Sequence, residues 1–218
     1  MSCQLVRIIT EIRHPWSLLF LDNRGKYARS FLSVFPYVSN KEHANVELAL
    51  TNEANTMILR LTPNFSGIMI EEGGLETLDS YRELLSLLLD NLKSFLEVPI
   101  ETVRFFLEFR QQIEAPDALV KFIPNSLVNL SNINGLNTTT LEDITLRLDA
   151  LVDGTKVVLS VETEQQQDAE DEKKASATVT IDIQFPGDLA SDGIADLFSK
   201  ALDIGSEIMS KLEGELSR

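Results

Sequence analysis

With 218 residues, the chain is long enough to bury a sizeable core as one large domain or two small ones. Its 44% hydrophobic and 24% charged residues are ordinary for a soluble globular protein. The 34 acidic residues against 19 basic ones leave a formal net charge of −15, concentrated after residue 101; nucleic acids and anionic membranes, held largely by Lys and Arg, are therefore disfavoured as partners.

The only cysteine, Cys3, excludes an intramolecular disulfide and fits a reducing compartment. Val6 to Arg13 (VRIITEIR) then alternates crudely. Arg7, Glu11 and Arg13 take one side and Ile8 and Ile12 the other, the period of a half-buried strand. His14-Pro15 stops it. The run Trp16-Ser17-Leu18-Leu19-Phe20-Leu21, bracketed by Glu11 and Asp22, is too short to read as a signal peptide. Tyr27, Phe31 and Val34 or Phe35 fall at helical spacing. That helix is expected to start near Asp22 or Asn23, to be weakened by Gly25 and to be closed by Pro36.

Strands are predicted over 46–50, 56–61 and 67–71, divided by turn residues at 52–55 and at Pro63-Asn64 and ended by Gly73-Gly74. A long helix over 80–97 follows. Ser80 and Glu83 have capping-box spacing, with Asp79 as an alternative cap. Tyr81, Leu84, Leu85, Leu88, Leu92, Phe95 and Leu96 share one side, and Leu87 and Leu89 widen the apolar arc to roughly 200°. A helix that only covers a sheet needs less, so Leu87 and Leu89 are candidate interface residues. Asp90, Asn91 and Lys93 break the leucine run, which is no membrane span. With no targeting or spanning segment in view, the chain reads as cytoplasmic.

Val103 to Arg110 (VRFFLEFR) then repeats the first strand at a shift of 97 residues, from Arg7 to Arg104. The strand runs on to Ile113 and stops at Ala115-Pro116. A helical segment from Asp117 is interrupted by Pro124, and 126–140 reads as loop. Strands are predicted over 144–151, 157–161 and 178–185. Asp153-Gly154 is a hairpin signal, and the polar stretch 165–174 is a hairpin tip reaching into solvent. A last helix carries Leu197, Ala201, Ile204, Ile208 and Leu212 on one face.

Each half therefore reads strand, short helix, three strands, long helix. The expected fold is α+β, an internally duplicated unit (1–99 and 100–218) forming one pseudo-two-fold body. Its mainly antiparallel sheet is covered on one face by the long helices.

Chemistry is sparse. With two histidines, His14 and His43, and one cysteine, a zinc site lacks ligands. No phosphate-binding glycine loop and no nucleophile elbow occurs, and no cofactor is implied. Asp168, Glu170, Asp171 and Glu172 lack the glycine and spacing of a calcium loop and read as a solvated tip. The repeated charges are the better candidate. Arg7, Glu11, Arg13, Arg104, Glu108 and Arg110 would form a cross-strand ladder if the two first strands pair. The ladder is either a polar groove for a ligand or peptide or a salt-bridged solvated face.

VRFFLEFRQQIEAP followed by a short helix resembles the GLRY-x-N-x-I strand of an uncharacterised, sporadically distributed bacterial protein family. Glu11-Ile12-Arg13-His14-Pro15 is similar to that family's EIRF-P strand, and Phe35-Pro36 to its FP. Phe106 stands where glycine is usual, Phe109 replaces tyrosine, and Gln111 or Gln112 replaces asparagine. The resemblance implies an architecture and no activity. The unit is also similar to the helix-grip arrangement, variants of which occur in steroid-binding and TATA-binding folds; the acidic balance speaks against a DNA saddle. The function expected first is a non-enzymatic protein-binding or assembly subunit, as a homodimer or within a complex. The second is a carrier of a small apolar ligand held between sheet and long helix and lined by Phe105, Phe106, Leu107 and Phe109. An enzyme ranks third, since it needs carboxylates gathered in a cleft.

Overall fold

The computed structural model describes residues 4–39, 47–72, 74, 78–113, 145–152, 154–167, 173–191 and 193–216. The chain runs β1 (Gln4–Arg13), α1 (Leu19–Arg29), β2 (Tyr37–Val38), β3 (Leu48–Thr51), β4 (Met57–Leu61), β5 (Phe65–Glu71), α2 (Leu78–Leu96). It continues with β6 (Thr102–Ile113), β7 (Thr145–Val152), β8 (Thr155–Gln167), β9 (Lys173–Pro186), a 3-10 turn (Gly187–Ser191) and α3 (Ile194–Leu216). The strands form one antiparallel sheet in the order β2-β3-β4-β5-β1-β6-β9-β8-β7.

That order reads the same from both ends once β2 is set aside. β1 and β6, the repeated octets, pair antiparallel at the centre, and each half lays its remaining strands outward in matching sequence. The seam register places Ile9 opposite Phe106, the two residues that the 97-residue shift equates. The pseudo-two-fold axis therefore passes through that pair. The expected α+β fold, with a duplicated unit and an antiparallel sheet under long helices, is the one observed.

Alternation decides which residues enter the core. Ile8 and Ile12 on β1, Ile68 and Ile70 on β5, Val103, Phe105 and Leu107 on β6, and Val179, Ile181 and Ile183 on β9 are fully buried on one face. The three described helices cover that face. α1 is tied to it where the Tyr27 hydroxyl donates to Ser66 Oγ at 3.2 Å. For α2 the tie is the Tyr81 hydroxyl, 2.7 Å from Thr10 Oγ1 and donating to the Ile68 carbonyl at 3.1 Å. α3 comes so close at Gly205 that a Cβ there would lie 2.5 Å from Leu107 Cδ1. Both tyrosine hydroxyls are held well above their ordinary pKa by burial, so they stay protonated as donors.

α2 is the middle helix of this layer. Asn23 of α1 donates to the Phe95 carbonyl at 3.2 Å, and on the other flank Tyr81 packs edge-on to Phe198 of α3 at 5.1 Å. A helix with a sheet below and a helix on each side buries more than one stripe. That accounts for the wide apolar arc and corrects one expectation: Leu89 is 5% exposed and belongs to the core.

Local differences have local causes. α1 begins at Leu19, ahead of the expected Asp22, because the Ser17 N–H is held by the Pro63 carbonyl at 2.8 Å and Phe20 is buried. α2 begins at Leu78, so Asp79 and Ser80 are exposed within its first turn instead of capping it, and Asp79 pairs with Arg82. β8 and β9 run through much of the stretch read as a polar hairpin tip. The helix expected from Asp117, the loop at 126–140, Cys3, His43 and the 168–172 acids lie outside the described residues.

Candidate functional site

The sheet's other face carries the six repeated charges, and the seam brings them together across strands. Arg7 Nη1 donates to Glu108 Oε2 at 3.0 Å, and its symmetry counterpart Arg104 lies 3.7 Å from Glu11. Arg13 reaches Glu11 at 3.2 Å and Arg110 reaches Glu108 at 3.6 Å. Two acids that sequence reasoning passed over complete the array. Glu71 on β5 lies 3.5 Å from Arg7, and Asp182 on β9 accepts from Arg104 Nη2 at 2.6 Å. Asp182 also accepts from Gln184 Nε2 at 3.1 Å, and the Arg104 guanidinium stands 4.6 Å from the Phe106 ring centroid. The available signal for Asp182 was the outward alternation Thr180-Asp182-Gln184.

All four arginines of the repeated octets thus have a carboxylate within 4 Å. Such an array offers no surplus cation to a phosphate. Its chemistry is that of a ladder fixing the register of β5, β1, β6 and β9. The more exposed pairs, Arg7–Glu71 and Arg13–Glu11, contribute ~0.2–1 kcal/mol each, while Arg104–Asp182 is the most buried, with side chains 21% and 12% exposed.

His14, at the end of β1, is only 2% exposed, so it is no surface histidine. Its Nδ1 lies 2.9 Å from the Pro15 carbonyl, which can only accept, so Nδ1 carries the proton. Nε2 is buried without a hydrogen-bond partner among the described residues. Burial lowers the pKa of this imidazole below its ordinary 6.5, against smaller opposing effects of the Pro15 carbonyl and Glu101.

Leu87 is 37% exposed, unlike Leu89. With Val34, Met57, Ser80, Glu83 and Leu84 it lines an open groove of about 470 Å³. The aromatic lining expected of a carrier is absent. Phe105 is fully buried against Phe185 and Phe198, Leu107 and Phe109 are core, and Phe106 faces the other side of the sheet.

An unexpected apolar stretch runs from the segment before α1 into its first turn. Trp16 is 61% exposed, Leu18 71%, Leu19 39% and Leu21 44%, while Phe20 between them is fully buried. This is an apolar ridge of four large side chains within six residues. It is not a loose loop: His14 N–H donates to the Asn64 carbonyl at 3.2 Å and Ser17 N–H to Pro63, so the β4–β5 turn pins it. The sequence signal is the apolar run Trp16 to Leu21 itself.

Among the described residues, no group of three or more His, Cys, Asp or Glu could hold a metal ion, and no helix is long and apolar enough to cross a membrane. The fold and site define an α+β protein with a pseudo-symmetric antiparallel sheet, one helical layer and a salt-bridged opposite face. No family model matches the chain, and no curated protein matches it. Among solved structures it is similar to the TBP of Methanococcus jannaschii, with a TM-score of 0.31 and 10% sequence identity, covering 98% of this chain and 99% of that one.

Proposed function

We propose that the protein is a non-enzymatic protein-binding or assembly subunit that docks a protein partner on the Trp16–Leu21 ridge. The observation that carries this reading is the exposure of Trp16, Leu18, Leu19 and Leu21 on a segment anchored to the β4–β5 turn. Exposed apolar clusters cost a soluble protein solubility, and tryptophan is the side chain most enriched at binding hot spots. The anchoring reduces the ordering cost of docking. The partner is a polypeptide and no nucleic acid, since the net charge is −15 and the central arginines are neutralised.

The test compares native with denatured mass for protein purified gently from its own host, alongside Trp16→Asp and Leu18→Lys. Both positions are exposed, so the variants keep the wild-type melting curve. Loss of a specific added chain in both variants supports the ridge. Retention of that chain in both sinks it.

A second reading has its own observation, the groove lined by Val34, Met57, Leu84 and Leu87. Its volume suits a small apolar ligand. Non-covalent mass of small-molecule size on the native chain, lost in Leu87→Trp at the exposed rim of the groove, would favour the carrier over the docking subunit.

A further inference from the structure

The two ends of the sheet are finished differently. At one end β2, introduced by Pro36, pairs with β3 at Tyr37↔Thr51 and Val38↔Leu50 and shields part of that edge. At the other end β7 is the last strand, eight residues without a proline, and no described strand lies beyond it. Leu151 is 77% and Val152 42% exposed there. Among the described residues nothing pairs with the outer side of β7, and an edge of this length offers a row of backbone donors and acceptors, which proteins ordinarily block or use.

The side chains on β7 indicate what pairs with it. Arg147 and Asp149 point to the salt-bridged face, 65% and 57% exposed, and lie 3.6 Å apart along the strand. Across β8 they meet Ser160 and Val158, so within one copy no charge stands directly opposite either of them. Antiparallel pairing of β7 with a second β7, centred on Leu148, sets Arg147 of each copy opposite Asp149 of the other. It also sets Leu148 against its own twin on the helix-covered face. Moving the centre by one residue puts Arg147 against Arg147 or Asp149 against Asp149, and also leaves like charges facing at the axis. The chain already uses this device at its own seam, where Arg7 and Glu108, and Arg104 and Glu11, flank the Ile9–Phe106 centre.

We infer that β7 is a self-association edge, joining two copies about a two-fold axis at Leu148 into one continuous antiparallel sheet with both helical layers on the same side. This interface is separate from the Trp16–Leu21 ridge and does not depend on it.

The experiment is sedimentation equilibrium of the full chain over a wide concentration range, for wild type, Arg147→Asp, Asp149→Arg and the double exchange. All four should share one far-UV circular dichroism spectrum, since both side chains are exposed, while the melting temperature follows the degree of association. The expected result is a wild-type dimer, a dissociation constant raised roughly tenfold or more in each single variant by like charges set opposite one another, and recovery in the double exchange. A monomeric wild type overturns the inference. So does a dimer equally strong in all four proteins, or one that the double exchange fails to restore. A dimer abolished by Trp16→Asp but indifferent to the β7 exchanges would assign self-association to the ridge instead.

Discussion

Replacing Asp182 by Asn tests whether the face opposite the helices is held by its charges. Asp182 is 8% exposed and accepts from Arg104 Nη2 at 2.6 Å, from Arg104 Nε at 3.4 Å and from Gln184 Nε2 at 3.1 Å. The amide keeps the shape and one acceptor but loses the charge. A hydrogen bond to a charged group contributes ~1.5–3 kcal/mol against ~0.5–1.5 for a neutral one, so the contacts lose about 1 kcal/mol. Arg104, with a side chain 21% exposed, is left with Glu11 at 3.7 Å as its remaining carboxylate, which adds about 1 kcal/mol more. The expected loss is about 2 kcal/mol. With a urea slope of about 2 kcal/mol per molar, the unfolding midpoint falls by about 1 M. Glu207→Gln, at a 68% exposed side chain, is the control and should move it by less than about 0.3 M. Exchanging both partners for apolar side chains, Arg104→Met with Asp182→Leu, should recover most of the loss, because no charge is then left unpaired. An Asp182→Asn midpoint indistinguishable from the control would refute the argument. It would mean that Arg104 is satisfied by Glu11 and water alone.

Gly187→Ala should destabilise by about 3 kcal/mol or more in the same assay, because a Cβ there would lie 1.9 Å from the Ile100 carbonyl oxygen, a backbone atom with no rotamer to escape into. Leu89→Ala should cost about 2–5 kcal/mol, whereas Leu87→Ala should cost under about 1 kcal/mol; similar values for both would contradict their different burial. For His14 the folded pKa lies below 6.5 while the unfolded chain titrates near 6.5. The unfolded state therefore binds the proton first, and stability present above about pH 6.5 is lost as the pH falls toward the folded value. His14→Gln should flatten that decline between about pH 7 and about pH 5; a parallel decline in the variant would assign it to carboxylates instead.

The sheet was legible because its strands alternate. VRIITEIR and VRFFLEFR separate Ile8 and Ile12, or Val103, Phe105 and Leu107, from their charged neighbours so regularly that face and repeat could be read together. What one strand faces across a seam is not written in that strand. The cross-strand ladder was expected from the repeat, but Glu71 joins it only through the β1–β5 register and Asp182 only through the β6–β9 register. The helical layer misled for a similar reason. The arc of α2 showed how much was buried but not against what, so Leu89 looked like an interface when α1, α3 and the sheet share α2 among them. The Trp16–Leu21 ridge was missed because an apolar run gives no sign of its exposure. The Ser17–Pro63 hydrogen bond and the burial of Phe20 in the first turn of α1 accompany that exposure.

The position of β1 bears on how the chain reaches this state. β1 comes first among the described strands and yet lies in the middle of the sheet, between β5 and β6. During synthesis it can pair with β5 once residue 71 has emerged, but its other edge waits until residue 110 is available. Completing that side requires β9, which arrives later still. A growing chain therefore carries a half-built sheet with its central edge bare, and pairings this distant in sequence make folding slow. The nascent first half is the stage most exposed to wrong partners and the one on which a chaperone would act.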